Sequence, residues 1–138
     1  DGLTVYDKAS DKIFAGGLPK VTLLFGATPY SNAGAALVHF PRGVRTVWHT
    51  HPAGQNLIVT QGKIYTGTAD GIVQIAHPGD VVLCPPGVKH WHGAGLHEDG
   101  KHIAVTFEKE GKSVMWLEHL SEDEYKSLIE KADAKGAE

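Results

Sequence analysis

Glycine and proline interrupt this chain so often that, up to about residue 118, only short extended segments fit between them. Seventeen glycines and seven prolines are spread along 138 residues. A glycine can supply the positive φ of a tight turn, and a proline removes a ladder donor. Between these breaks lie apolar runs at 21–25, 34–40, 57–60, 64–68, 72–76 and 81–84, then 88–91, 102–107 and 114–117. About ten short strands at this spacing, with no helical period between them, predict an all-β antiparallel sandwich or barrel. Gln61-Gly62-Lys63 reads as a hairpin turn. Asp70-Gly71 reads as a type I′ turn.

One helix is expected, at the C-terminal end. Ser121-Glu122-Asp123-Glu124 has the form of a capping box, with Leu120 and Tyr125 placed as a hydrophobic staple. Tyr125, Leu128 and Ile129 keep a helical period, so the helix is expected over about 121–132, with fraying beyond. The first 19 residues, broken at Gly16-Gly17-Leu18-Pro19, read as an irregular arm or an edge strand. The whole of 1–138 is expected to form one domain, with the barrel over about 20–118.

The chemistry is concentrated in two runs. Gly43 to Gly62 contains His49, His51 and Gln55; Gly79 to Ala94 contains His90 after the Pro85-Pro86-Gly87 break. Alternate residues of a strand share a face, so His49 and His51 point the same way. Pro52-Ala53-Gly54 then turns the chain and lets Gln55 present its amide oxygen to the same point. Imidazole suits zinc, copper, iron and nickel, while an amide oxygen is a harder ligand that suits manganese and iron. Four such ligands leave open positions on an octahedral ion, the layout of a catalytic rather than a sealed site. A lone His-x-His is a weak signal, because backbone carbonyls can satisfy both rings. Two glycine-anchored runs in order are a much stronger one.

These runs resemble the paired motifs of the cupins, G-x5-H-x-H-x3-E-x6-G and G-x5-P-x-G-x2-H-x3-N. Gly43, His49, His51, Gly62, Gly79, Pro85, Gly87 and His90 stand at the matching positions, while Gln55 replaces the glutamate and Ala94 the asparagine. The resemblance spans about residues 33–107. Its finer form is to small single-domain bacterial cupins with a three-His, one-Gln site, among them manganese-dependent hydroxynitrile lyases. It implies a double-stranded β-helix (a small antiparallel jelly roll) with a C-terminal helix. It also implies one divalent metal, manganese first and iron, zinc or nickel after it, on His49, His51, Gln55 and His90. A homodimer joined through sheet edges or exchanged arms is a further implication. His102 falls where the lyases carry a pocket histidine and is the candidate general acid/base. Ala36 and Val38 match pocket-lining positions. Thr106 stands where those lyases have a glutamine, a departure that bears on transfer of their activity. His92 shares the parity of His90 and is expected beside the cavity as support for the ligands.

Three neutral imidazoles and a neutral amide would leave a divalent ion its full charge, which favours Lewis-acid chemistry on a small carbonyl- or hydroxyl-bearing molecule. Two rivals stand beside that reading: a dioxygenase using iron, manganese or nickel, and a non-catalytic module binding metal or a small ligand. Arg45 shares the parity of His49 and is expected to reach the barrel mouth, whereas His39, His77, His97 and His119 are expected at the surface. Trp48, Trp91 and Trp116 are expected as core or interface anchors rather than substrate platforms. Cys84, the one cysteine, excludes an internal disulfide and reads as a core residue. A net charge of −3 gives no reason to expect nucleic acid or an anionic membrane as partner, and no apolar run has the length of a membrane span. The chain opens at Asp1 without methionine. Either a leader has been removed or the sequence is trimmed, so cytoplasmic and periplasmic or secreted locations both remain open.

Overall fold

Burial alternates along the extended segments 55–62 and 100–107, each of which turns one face inward and pairs with its neighbours, 33–40 among them, to do so. In the computed structural model, which describes residues 10–136, they are β3 (Ala33–Phe40), β6 (Gln55–Gly62) and β11 (Gly100–Phe107). With β2 (Lys20–Phe25) and β9 (Val81–Cys84) they form an antiparallel sheet in the order β2-β3-β11-β6-β9.

The second sheet has the order β1-β4-β10-β5-β12: β1 (Phe14–Ala15), β4 (Arg45–Thr46), β10 (His90–Gly93), β5 (His49–Thr50) and β12 (Met115–Trp116). β7 (Ile64–Thr68) pairs with β10 and carries β8 (Val73–Ala76) on its other edge. Phe14, Phe40, Val44, Val59 and Ile64 come from both sheets and meet in one buried cluster, so the sheets face each other across a shared core. Leu57, Cys84 and Ala104 continue it on the inner face of the first sheet. Burial raises the Cys84 thiol to about 11, which suits a packing residue and not a nucleophile.

The outer face of the second sheet is covered by the helix α1 (Glu122–Gly136). Ser121 Oγ accepts the Glu124 N–H at 3.1 Å, and Leu120 and Tyr125 are both buried beside Trp91, so the cap and the staple form together. Glu122, Asp123 and Glu124 place negative charge at the positive end of the helix dipole. No described helix is long and apolar enough to cross a membrane.

Several local expectations are corrected. The helix does not fray at residue 132: Ala132 is buried, and the Tyr65 hydroxyl donates to Asp133, so the last turns are held by tertiary contacts. Gln61-Gly62-Lys63 is not a hairpin turn, because β6 pairs with β11 and β9 while β7 pairs with β10 and β8. The chain instead crosses there from one sheet to the other. Gly62, at φ +67°, lets the Asp99 carbonyl come within 2.1 Å of where a Cβ would stand. At Asp70-Gly71 only Gly71 has positive φ, and its N–H bonds the Thr68 carbonyl at 3.0 Å. The turn is therefore of the type I kind closed by a left-handed glycine, since type I′ needs positive φ at both centres. The strand expected at 88–91 begins at His90 and runs to Gly93, because the turn at Pro85 extends through Val88. The expected arm contributes the short strand β1, and its residues 1–9 lie outside the described part.

Candidate metal centre

Four side chains from three places in the sequence converge between the sheets. His49 lies on β5, His51 just beyond it, Gln55 opens β6 and His90 opens β10. His49 and His90 are cross-strand partners, with ring centroids 4.2 Å apart; His51 lies 4.9 Å from His49 and 5.2 Å from His90. The two runs are tied directly, since the Gly87 and Gly54 N–H groups both donate to the His51 carbonyl, at 3.0 and 3.2 Å. Gly54, at φ +87°, makes the turn that brings Gln55 back.

Each imidazole is oriented by a backbone carbonyl. His49 Nδ1 meets Val47 O at 2.8 Å, His51 Nδ1 meets Ser113 O at 2.7 Å, and His90 Nδ1 meets Val88 O at 3.0 Å. A carbonyl only accepts, so each Nδ1 carries the proton and each Nε2 keeps its lone pair. Those three Nε2 atoms are buried and have no protein partner. Gln55 completes the pattern: its Nε2 donates to Thr106 Oγ1 at 2.8 Å, while its buried Oε1 has no partner. Buried polar atoms are rarely left unpaired, and here four acceptors are orphaned at one point. The ligand atoms offered by His49, His51 and His90 all lie within 4.8 Å of one another. The donor set fits a divalent cation.

Burial is the main reason that all five buried histidines resist protonation. It holds His49 and His92 well below the ordinary imidazole value, lowers His51, and brings His90 to about 4. His102, also through burial, is brought to about 4. At neutral pH the cluster is uncharged, and its lone pairs are free for a cation.

His49, His51 and Gln55 form one wall of a cavity of about 420 Å³. Val21, Leu23 and Phe25 of β2, with Ala36 and Val38 of β3, give it an apolar lining. His92 lies beside His49, with ring centroids 5.1 Å apart, and joins His102 through Nδ1 and Nε2 at 3.1 Å. His92 keeps 5% exposure and His102 none. A larger hollow of about 810 Å³ lies elsewhere, between α1 and β7–β8, and holds none of the orphaned ligand atoms.

Two expectations fail here. Arg45 does not reach the cavity mouth: its Nη1 donates to Glu122 at 2.9 Å, and its guanidinium lies 4.3 Å over the Tyr125 ring, on the helix side. Strand parity was no guide, because β4 and β5 are separate strands and Val47-Trp48 breaks the alternation. Trp116, expected as an anchor, lines the cavity with its ring 4.9 Å from His49, while Trp91 is fully buried under the helix. Sequence reasoning also missed the Thr106–Gln55 bond and the Ser113 carbonyl behind His51. The first is visible only once β11 and β6 are placed in register; the second left no signal, since any residue type has a carbonyl.

Two facing antiparallel sheets with this histidine cluster between them define a cupin. Residues 36–106 match the Cupin domain, and the chain belongs to that family. It is a homologue of an (R)-mandelonitrile lyase, an enzyme of Granulicella tundricola, with 43% identity over 110 residues, 80% of this chain and 84% of the relative. A cupin-like protein of Thermotoga maritima superposes with a TM-score of 0.85 at 36% identity, covering 94% of this chain and 98% of that one. A DMSP lyase of Ruegeria pomeroyi, at TM-score 0.61 and 18% identity over 71% of this chain and 51% of that one, shares the fold alone.

Proposed function

We propose that this cupin is a metal-dependent hydroxynitrile lyase, acting on a cyanohydrin or, in reverse, on a small carbonyl compound and hydrogen cyanide. The observation that carries the reading is the set of four orphaned acceptors, on His49, His51, Gln55 and His90, the first three lining an apolar cavity, in a homologue of a mandelonitrile lyase. His49, His51, Gln55 and His90 would hold one divalent ion, manganese in this reading, and the assembly is a homodimer. Such an ion supplies Lewis acidity toward the substrate oxygen.

The remaining work falls to the chain itself. In cleavage, the carbon–cyanide bond breaks with its electron pair leaving on cyanide, the hydroxyl loses its proton as the carbonyl forms, and that proton ends on cyanide. His102 is the proton acceptor, acting with His92 as one unit across their 3.1 Å contact. Both rings are neutral at working pH because burial disfavours their charged forms, so a ring lone pair is free to take the proton and, being weakly basic, passes it on to cyanide. Ala36 and Val38 form the wall that receives the carbon skeleton, and Trp116 closes the side next to His49. Thr106 lines the same cavity and holds the Gln55 amide. The neutral ligand set and the absence of a ligating carboxylate base favour proton transfer over oxygenation.

The test is cyanide release from mandelonitrile by manganese-loaded protein, with His102→Ala alongside. Turnover that falls by roughly 10²–10⁴-fold in the variant supports the assignment. Turnover that instead requires dioxygen would replace the lyase with a dioxygenase, and stoichiometric metal with no turnover would leave a binding module.

A further inference from the structure

The wall of the cavity is not uniform in charge. Among the described residues that line it there is no lysine, arginine or aspartate, and a single glutamate, Glu108. The histidines of the same wall are held neutral by burial. His102, Ala104 and Thr106 of β11 alternate inward, and Glu108 continues their row, whereas Phe107, of opposite parity, does not line the cavity. The backbone is fixed at this spot. The Glu108 N–H donates to the Asn32 carbonyl at 2.9 Å, and Asn32 Nδ2 donates to the Glu108 carbonyl at 3.0 Å. The carboxylate is half-buried and has no hydrogen bond or ion pair with any described residue. Lys109, Glu110 and Lys112 lie exposed on the turn that follows, where the two lysines pair only through their backbones. A half-buried carboxylate facing an apolar cavity is costly to leave without a partner.

We propose that Glu108 selects the charge of the substrate: the site takes a cyanohydrin or carbonyl compound that carries a cationic amino group at the end remote from its oxygen. This rests on the lyase reading, which puts the substrate oxygen at the centre formed by His49, His51, Gln55 and His90. Thr106 marks that centre on β11, through its bond to Gln55. Glu108 stands two residues further along the same row, about 7 Å on. A molecule one aromatic ring long therefore reaches from the ligand cluster to the carboxylate. Its apolar middle meets Ala36, Val38 and Val114. Its ammonium gives Glu108 the partner that no described protein group provides, in a charge-assisted hydrogen bond. A neutral compound of the same shape displaces water from the cavity and leaves the carboxylate unpaired, so Glu108 discriminates between the two.

Calorimetric titration of the manganese-loaded protein with two alcohols of equal size tests the proposal. The first, para-(aminomethyl)benzyl alcohol, carries the cation; the second, para-ethylbenzyl alcohol, has a methyl group in place of the ammonium. Neither has a cyanide to lose, so affinity is read without turnover. The cation should bind at least about tenfold more tightly, and the preference should shrink as salt is added. Glu108→Gln keeps the shape and should bring the two alcohols to nearly equal affinity. Glu110→Gln, at an exposed position outside the lining, should leave the preference as it is. Equal affinities in the wild type, or binding of neither alcohol, overturn the proposal. So does a preference that survives Glu108→Gln or vanishes in Glu110→Gln. The lyase reading falls separately, on the absence of cyanide release from mandelonitrile.

Discussion

Thr106→Val removes one hydroxyl and almost no volume, so it isolates what the Gln55–Thr106 bond does for the metal centre. The two residues are register partners on β6 and β11, with the backbone of both held in the sheet. Valine therefore keeps the strand and the packing. What it loses is the only acceptor recorded for Gln55 Nε2, 2.8 Å away. An amide donor left unpaired in a buried site carries a penalty of about 1–3 kcal/mol, or the amide rotates to escape it. Either way Oε1 is no longer fixed on the histidine nitrogens. Removing an orienting partner of a ligand typically weakens a metal site by about 10–100-fold, or about 1.4–2.8 kcal/mol. Manganese titration by calorimetry, or by the electron paramagnetic resonance signal of the free ion, should show a loss in that range. Thr106→Ser should restore binding. In the Gln55→Ala background, Thr106→Val should have no further effect, because the group it orients is gone. Wild-type manganese affinity in Thr106→Val, or an equal loss with and without Gln55, would refute the reasoning.

Acid should destabilise the metal-free protein over a defined window. A histidine depressed to about 4 in the fold and near 6.5 when unfolded contributes stability that is fully present above 6.5 and is lost as pH falls toward 4. For His102, fully buried, that loss is about 3 kcal/mol between pH 7 and pH 4. Urea unfolding across that range measures it, and a flat profile would contradict the neutral buried state. Gly62→Ala should be far more damaging than Gly71→Ala. Both have positive φ, but a Cβ at Gly62 meets the Asp99 carbonyl at 2.1 Å, while at Gly71 nothing lies within 4 Å. Left-handed strain alone is about 1–2 kcal/mol. Thermal unfolding should place Gly71→Ala near that loss and Gly62→Ala well beyond it.

The local chemistry of this protein is legible in its sequence. Glycine and proline spacing sets strand lengths, the Ser121 box sets the helix start, and the two glycine-anchored runs set which histidines are candidates for a cation. These are short-range properties, decided by φ preferences, capping and the alternation of a strand. What lies beyond them depended on register and on which sheet a strand joins. Gln61-Gly62-Lys63 has the length and composition of a hairpin, yet it joins two sheets, because pairing with β11 and with β10 outweighs the local turn. Arg45 looked inward by parity, but the break at Val47-Trp48 turns it to α1, where Glu122 and the Tyr125 ring receive it. Thr106 became the holder of Gln55, and Trp116 the wall beside His49, only when distant strands were laid side by side. Alternation along a strand can be read from the chain, but a partner across the sheet cannot, since it is selected by the packing of the whole core.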